Sequence, residues 1–74
     1  MEKEIVLIYT DFIKLEAALK LANCVCTGGE AKAFIQEGKV RVGGEVCLMR
    51  GKKLYDGDSF QFMGKTYTIS KYES

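Results

Sequence analysis

The sequence predicts an α+β fold: two helices packed on one face of a small, mainly antiparallel sheet of about five strands. Three observations carry this. A β-branched run opens the chain, two helical-period segments follow, and from Gly38 onward the apolar period changes to two. With 74 residues, no Pro, no repeat and no low-complexity tract, residues 1–74 form a single expected domain. Such a chain buries only about 60% of its unfolded surface, so the core is modest and a deep catalytic cleft is excluded.

Taking the elements in order, Ile5-Val6-Leu7-Ile8-Tyr9 reads as a buried strand. Thr10 and Asp11 are placed to cap a first helix in which Leu15, Ala18, Leu19 and Ala22 recur at helical spacing. Glu16 and Lys20 form an i,i+4 pair on its exposed side, and Lys14 flanks the apolar stripe near its start. Residues 23–26 make a connecting loop. Thr27 with Glu30 then spells a capping box, in which each side chain satisfies the other residue's free backbone N–H. The helix it opens, residues 28–37, buries Ala31, Phe34 and Ile35, presents Lys32 and Gln36, and ends at Gly38.

Beyond Gly38, Lys39 and Arg41 fall on one face of a strand and Val40 and Val42 on the other. Gly43-Gly44 suits a primed two-residue turn, with residues 45–48 returning as the partner strand. Residues 49–58 read as a basic loop closed by a turn at Gly57-Asp58. Phe60 and Phe62 alternate with polar neighbours, Gly64-Lys65 offers a second tight turn, and Tyr67 and Ile69 alternate in the last strand.

Composition narrows function. The chain has no His, which removes the commonest general base and zinc ligand. No stretch approaches the ~20 apolar residues of a membrane span, and the start lacks a signal-peptide pattern, so no membrane partner is expected and the cytosol is the expected location. Three Cys, an odd number, fit a reducing compartment. Cys24, Cys26 and Cys47 match no structural zinc spacing and read as small buried apolar residues. Asp56 and Asp58 flank Gly57 as turn residues rather than an acid–base pair. Phe60 and Phe62 read as core rather than as a base-stacking platform with Tyr67 and Tyr72. No enzyme activity, cofactor or metal is called for.

The net charge of +1 conceals an asymmetry. Residues 31–53 hold six cationic side chains against Glu37 and Glu45, a balance of +4, and the remainder carries −3. A polyanion-facing side is implied. Gly28 and Gly29 leave backbone N–H groups open at the positive end of the second helix, where a phosphate is favoured. Lys32 lies one turn inside, Lys39 and Arg41 emerge past the helix, and Arg50, Lys52 and Lys53 cluster in one loop. Several phosphate contacts over one face are what a nucleic-acid backbone requires.

The runs Ile13-Lys14-Leu15, Thr27-Gly28-Gly29-Glu30-Ala31-Lys32, Phe34-Ile35-Gln36-Glu37-Gly38-Lys39-Val40-Arg41-Val42, Arg50-Gly51-Lys52-Lys53-Leu54 and Gly57-Asp58 carry a family likeness. Over about residues 5–62 the chain resembles the S4-type (alpha-L) RNA-binding domain. It is most similar to the short stand-alone bacterial members, with their T-G-G-x-A-K helix start and R-G-K-K-L loop. The resemblance implies a module that grips structured RNA, with ribosomal RNA a candidate, through the helix–loop–helix surface and the following strand. By position it implies a basic residue opening the first helix at Lys14, a phosphate-facing start at Gly28, Gly29 and Lys32, and a basic strand entry at Lys39 and Arg41. Two positions depart: Val42-Gly43-Gly44 stands where the family has V-N-G, and Met49 replaces the first of two loop arginines.

The resulting expectation is a non-enzymatic RNA-binding module. Lys14, Lys32, Lys39, Arg41, Arg50, Lys52 and Lys53 would neutralise phosphates, and the amides of Thr27, Gly28 and Gly29 would hold one directly. The alternative is a protein–protein adaptor whose basic face docks an acidic partner in a ribosome- or RNA-associated complex. Duplex DNA is disfavoured, because the second helix offers only Lys32 and Gln36 to read base edges.

Overall fold

The opening apolar run and the last period-two run lie side by side. In a computed structural model that describes residues 2–72, β1 (Glu2–Ile8) pairs in parallel with β7 (Lys65–Lys71). The ends of the expected 1–74 domain lie outside the described residues. β7 also pairs antiparallel with β6 (Ser59–Phe62), which pairs with β3 (Val40–Val42), which closes a hairpin with β4 (Glu45–Val46). The five-stranded sheet therefore runs β1-β7-β6-β3-β4 and is mainly antiparallel, as expected, with one parallel pair that alternation in the sequence does not reveal.

The segment between the opening strand and the first helix departs from expectation. Thr10 and Asp11 do not cap that helix. Thr10 Oγ1 donates to the Phe12 carbonyl at 2.7 Å, and Asp11 pairs with Lys71. Residues Phe12–Lys14 instead form β2, which pairs antiparallel with β5 (Lys53–Tyr55), inside the stretch expected to be loop. This two-stranded ribbon is a second, separate sheet. Helix α1 (Leu15–Leu21) starts directly from it, with Lys14 as N-cap and no side-chain cap.

The N-terminal donors of α1 are satisfied from elsewhere. Leu15 N–H donates to the Lys52 carbonyl at 2.9 Å, and Glu16 N–H to the Arg50 carbonyl at 3.1 Å. The basic segment thus does the work of a cap and is tied to α1 by its own backbone. Helix α2 spans Gly28–Gln36. Both helices end in the paired 6→1 and 5→2 bonds that follow a left-handed residue. Asn23 (φ 61°) and Cys24 bond back to Lys20 and Leu19, and Gly38 (φ 77°) and Lys39 bond back to Ile35 and Phe34.

The turns follow their chemistry. Gly43 and Gly44 both have positive φ, the primed geometry that lets a two-residue hairpin follow the strand twist. The next hairpin turns at Met63 and Gly64 rather than at Gly64-Lys65, leaving Lys65 as the first residue of β7. The strand after Gly44 is shorter than expected, ending at Val46.

One core joins these layers. Leu15, Ala18 and Leu19 of α1, Ala31 and Ile35 of α2, and Val40, Phe60 and Ile69 of the sheet are buried together with Leu54 of the ribbon. Phe60 stacks on Tyr67 at 4.9 Å, and Phe34 of α2 meets Phe62 edge-on at 5.2 Å, so Phe60, Phe62 and Tyr67 are core, whereas Tyr72 is exposed. The cysteines only partly match expectation. Cys24 and Cys47 are half-buried against the core, but Cys26 is exposed in the loop before α2. Burial pushes the Cys24 thiol up from its ordinary pKa, opposed by a hydrogen bond from Tyr67.

Candidate nucleic-acid interface

Thr27 caps α2 as the sequence requires. Its Oγ1 accepts from Glu30 N–H at 3.2 Å and its carbonyl from Ala31 N–H. The reciprocal half of the capping box is displaced by one residue: the Glu30 carboxylate accepts from Cys26 N–H at 2.9 Å, not from Thr27. The N–H groups of Thr27, Gly28 and Gly29 consequently have no protein acceptor among the described residues. They form a run of three donors at the positive end of a helix, which is the geometry that suits an anion. Glu30 lies at the same end, where the helix dipole favours it, and moderates the field there.

The two glycines are not required by the fold. A Cβ at Gly28 would meet nothing within 4 Å, one at Gly29 only Thr27 Oγ1 at 3.8 Å, and neither has positive φ. Glycine in a helix costs up to about 1 kcal/mol relative to Ala. The pair of glycines leaves the space in front of these backbone donors open.

A groove of about 380 Å³ lies in front of this helix start, lined by Gly28, Gly29 and Lys32 of α2, Glu16, Ala17 and Lys20 of α1, and Arg50. Arg50 arrives there because its carbonyl is held by Glu16 N–H. Lys20 was not among the residues singled out from the sequence, where it reads as the partner of Glu16. No ion pair within 4 Å joins those two among the described residues, and both face the groove. The signal was the helical period itself: Lys20 is one turn on from Glu16 on the side away from the buried Leu15, Ala18 and Leu19.

A second cationic group adjoins the first. Lys14 and Lys53 stand directly opposite each other across the ribbon, and the carbonyl of the neighbouring Lys52 is bonded to α1. Lys52 also lines a shallower groove with Val42, Glu45 and Met49. Lys39 and Arg41 are not brought into either group. Both are exposed, but they follow the C-terminal end of α2, a nine-residue helix about 13.5 Å long, with Gly28 at its other end. Arg41 Nη1 donates to the Gly44 carbonyl of its own hairpin at 3.4 Å, and Gln61 Oε1 accepts from Gly44 N–H at 3.1 Å.

The acidic turn is structural. Asp58 Oδ2 accepts from Tyr55 N–H at 2.8 Å, and Asp56 Oδ1 accepts from Lys71 N–H at 2.9 Å. Both carboxylates accept from backbone donors; Asp58 does so within its own turn, as expected, whereas Asp56 reaches across to the end of β7.

The family model for the S4 domain matches residues 6–70, nearly all of the described chain. This chain belongs to the S4 domain family. Among curated relatives, the probable ribosome maturation protein RlbA of Bacillus subtilis is 44% identical over 55 residues, covering 74% of this chain and 78% of that protein. The S4 match spans both sheets and both helices, so the groove, the ribbon and the hairpin all lie within the family's domain. No helix among the described residues is long and apolar enough to cross a membrane.

Proposed function

We propose that this S4 domain is a non-catalytic RNA-binding module that grips structured RNA through its phosphate backbone and shape, with ribosomal RNA as the target class. The observation that carries the reading is the groove in which Gly28 and Gly29, whose backbone N–H groups are open, meet Lys20, Lys32 and Arg50. Lys14, Lys52 and Lys53 extend the same cationic surface along the ribbon, and Lys39 and Arg41 provide a further contact at the hairpin. Each of these groups is a phosphate donor, and none is arranged to read a base edge. The relative named as a probable ribosome maturation protein supports ribosomal RNA as the class of partner. The non-catalytic reading rests on the lack of His and on the engagement of Asp56 and Asp58 with backbone N–H groups.

The test is the salt dependence of binding to an RNA stem–loop. Each phosphate neutralised contributes about 0.7–0.9 to the slope of log affinity against log salt. Lys32→Ala combined with Arg50→Ala should flatten that slope by about 1.4–1.8 and leave the melting temperature nearly unchanged, since both side chains are exposed. An unchanged slope in a folded double variant removes the groove from the interface.

A further inference from the structure

The ribbon carries a feature that phosphate binding does not use. Along β2 and β5 the side chains alternate, and Ile13 and Leu54, paired with each other, face the core. The other pairs, Phe12 with Tyr55 and Lys14 with Lys53, therefore share the outward face. Two aromatic rings and two ammonium groups are gathered there with no acidic residue in the ribbon's register. The rings sit 5.8 Å apart and tilted by 48°, and Lys53 Nζ lies 4.9 Å from the centre of the Phe12 ring. Tyr55 is 48% exposed.

One aspect of this face is hard to explain as a folding device, and a second positions its aromatic ring. Like charges directly opposite each other across strands are destabilising, and Lys14 and Lys53 are such a pair. A polyanion lying over the ribbon relieves that repulsion. The backbone beneath the Tyr55 ring is fixed on both sides. Its N–H donates to Asp58 Oδ2, its carbonyl accepts from Asp58 N–H at 2.9 Å, and Leu54 before it is fully buried. The Asp56-Gly57-Asp58 turn thus fixes the backbone beneath an outward-facing ring.

We propose that the outward face of the β2–β5 ribbon is a stacking platform for an unpaired base of the bound RNA, with Tyr55 as the stacking ring and Lys14 and Lys53 holding the flanking phosphates. The chemistry is sequence-tolerant, because every base presents a π-face, while a fully paired helix keeps its bases inside. Lys53, resting on Phe12, is within reach of a phosphate beside the stacked base and frees that ring when it swings away. The inference rests on the RNA-binding reading and deepens it: the preferred ligand is RNA that offers a loop or bulge next to a stem.

The test compares two RNAs of equal length and charge, a stem–loop and a blunt duplex, with the whole chain and its Tyr55→Leu and Tyr55→Phe variants, each confirmed folded by its thermal melt. A 2-aminopurine in the loop reports stacking directly. Tyr55→Leu should lose about 5- to 150-fold in affinity for the stem–loop, keep its affinity for the duplex, and abolish the quenching of 2-aminopurine. Tyr55→Phe should behave as the parent. If Tyr55→Leu binds both RNAs like the parent, the platform is overturned while RNA binding stands, and the aromatic face is left to a protein contact. Equal losses on both RNAs also overturn it, since stacking cannot act on a duplex with no free base. If the parent binds neither RNA, the RNA-binding reading itself falls and this inference with it.

Discussion

Gly28 and Gly29 separate two roles that glycine can have in this chain. At Gly43 and Gly44 positive φ favours glycine, but at the start of α2 a methyl group would fit without moving anything. Gly28→Ala and Gly29→Ala should therefore leave the fold intact and raise its stability by up to about 1 kcal/mol each, measured by urea melts. The same changes should weaken RNA binding, because a Cβ crowds the donors from which a phosphate is hung. Stabilised variants with undiminished affinity would show that no ligand approaches this backbone. Asp11 poses a residue-scale question of a different kind. The hydrogen bond from Lys71 at 2.7 Å, with its positive charge, holds the Asp11 carboxyl below its ordinary value of 3.8. A depressed folded-state pKa adds stability above the ordinary value, and that contribution is lost as pH falls through the lowered one. The small stability difference between the protein and Asp11→Asn should hold from neutral pH down toward 3.8 and close below it.

At the level of elements, the ribbon decides how the basic segment is held against α1. Leu54 is fully buried on its inner face, and the neighbouring Lys52 and Arg50 carbonyls cap α1. Leu54→Ala should cost about 2–5 kcal/mol by denaturant melts. Amide exchange should accelerate most at Leu15 and Glu16, whose acceptors are in that segment; a uniform loss of protection would mean that the ribbon and helix are not coupled in this way. The existence of the two helices, the start and end of α2 and the first tight hairpin were legible in the sequence, because apolar period and the Thr27, Gly38 and Gly43-Gly44 signals are local. The start of α1 and the order of the strands were not, because both are set by partners far away in the chain. Nor was the ribbon. Three-residue strands are too short to show a period, and Lys53-Leu54-Tyr55 is bracketed by turn residues that read as loop. The capping role of the basic segment was hidden for a related reason: it is made by carbonyls, which carry no side-chain signature. Of the cations singled out from the sequence, Lys32 and Arg50 share the groove, and Lys14 and Lys53 face each other across the ribbon. Lys39 and Arg41 stand apart, since a helix that links two residues in sequence also holds them a helix length apart in space.

For the molecule as a whole, a formal charge of +1 is a poor guide to how it meets a polyanion. The segment of residues 31–53 carries +4, and the rest of the sequence carries −3, with the Asp11 that Lys71 engages among its acids. On the proposed reading, so small a net charge steers RNA only weakly from a distance, and binding depends on cations gathered locally. The pairing of β1 with β7 has a consequence of another sort. Its seven rungs, from Glu2 with Lys65 to Ile8 with Lys71, join partners about 60 residues apart in sequence, the kind of contact that slows folding. During translation the first strand emerges long before its neighbour exists. It must wait in the nascent chain with Val6 and Ile8 uncovered, the two residues of the opening run that the finished fold buries while Ile5, Leu7 and Tyr9 stay exposed, and the sheet gains its outer edge only when synthesis has delivered β7.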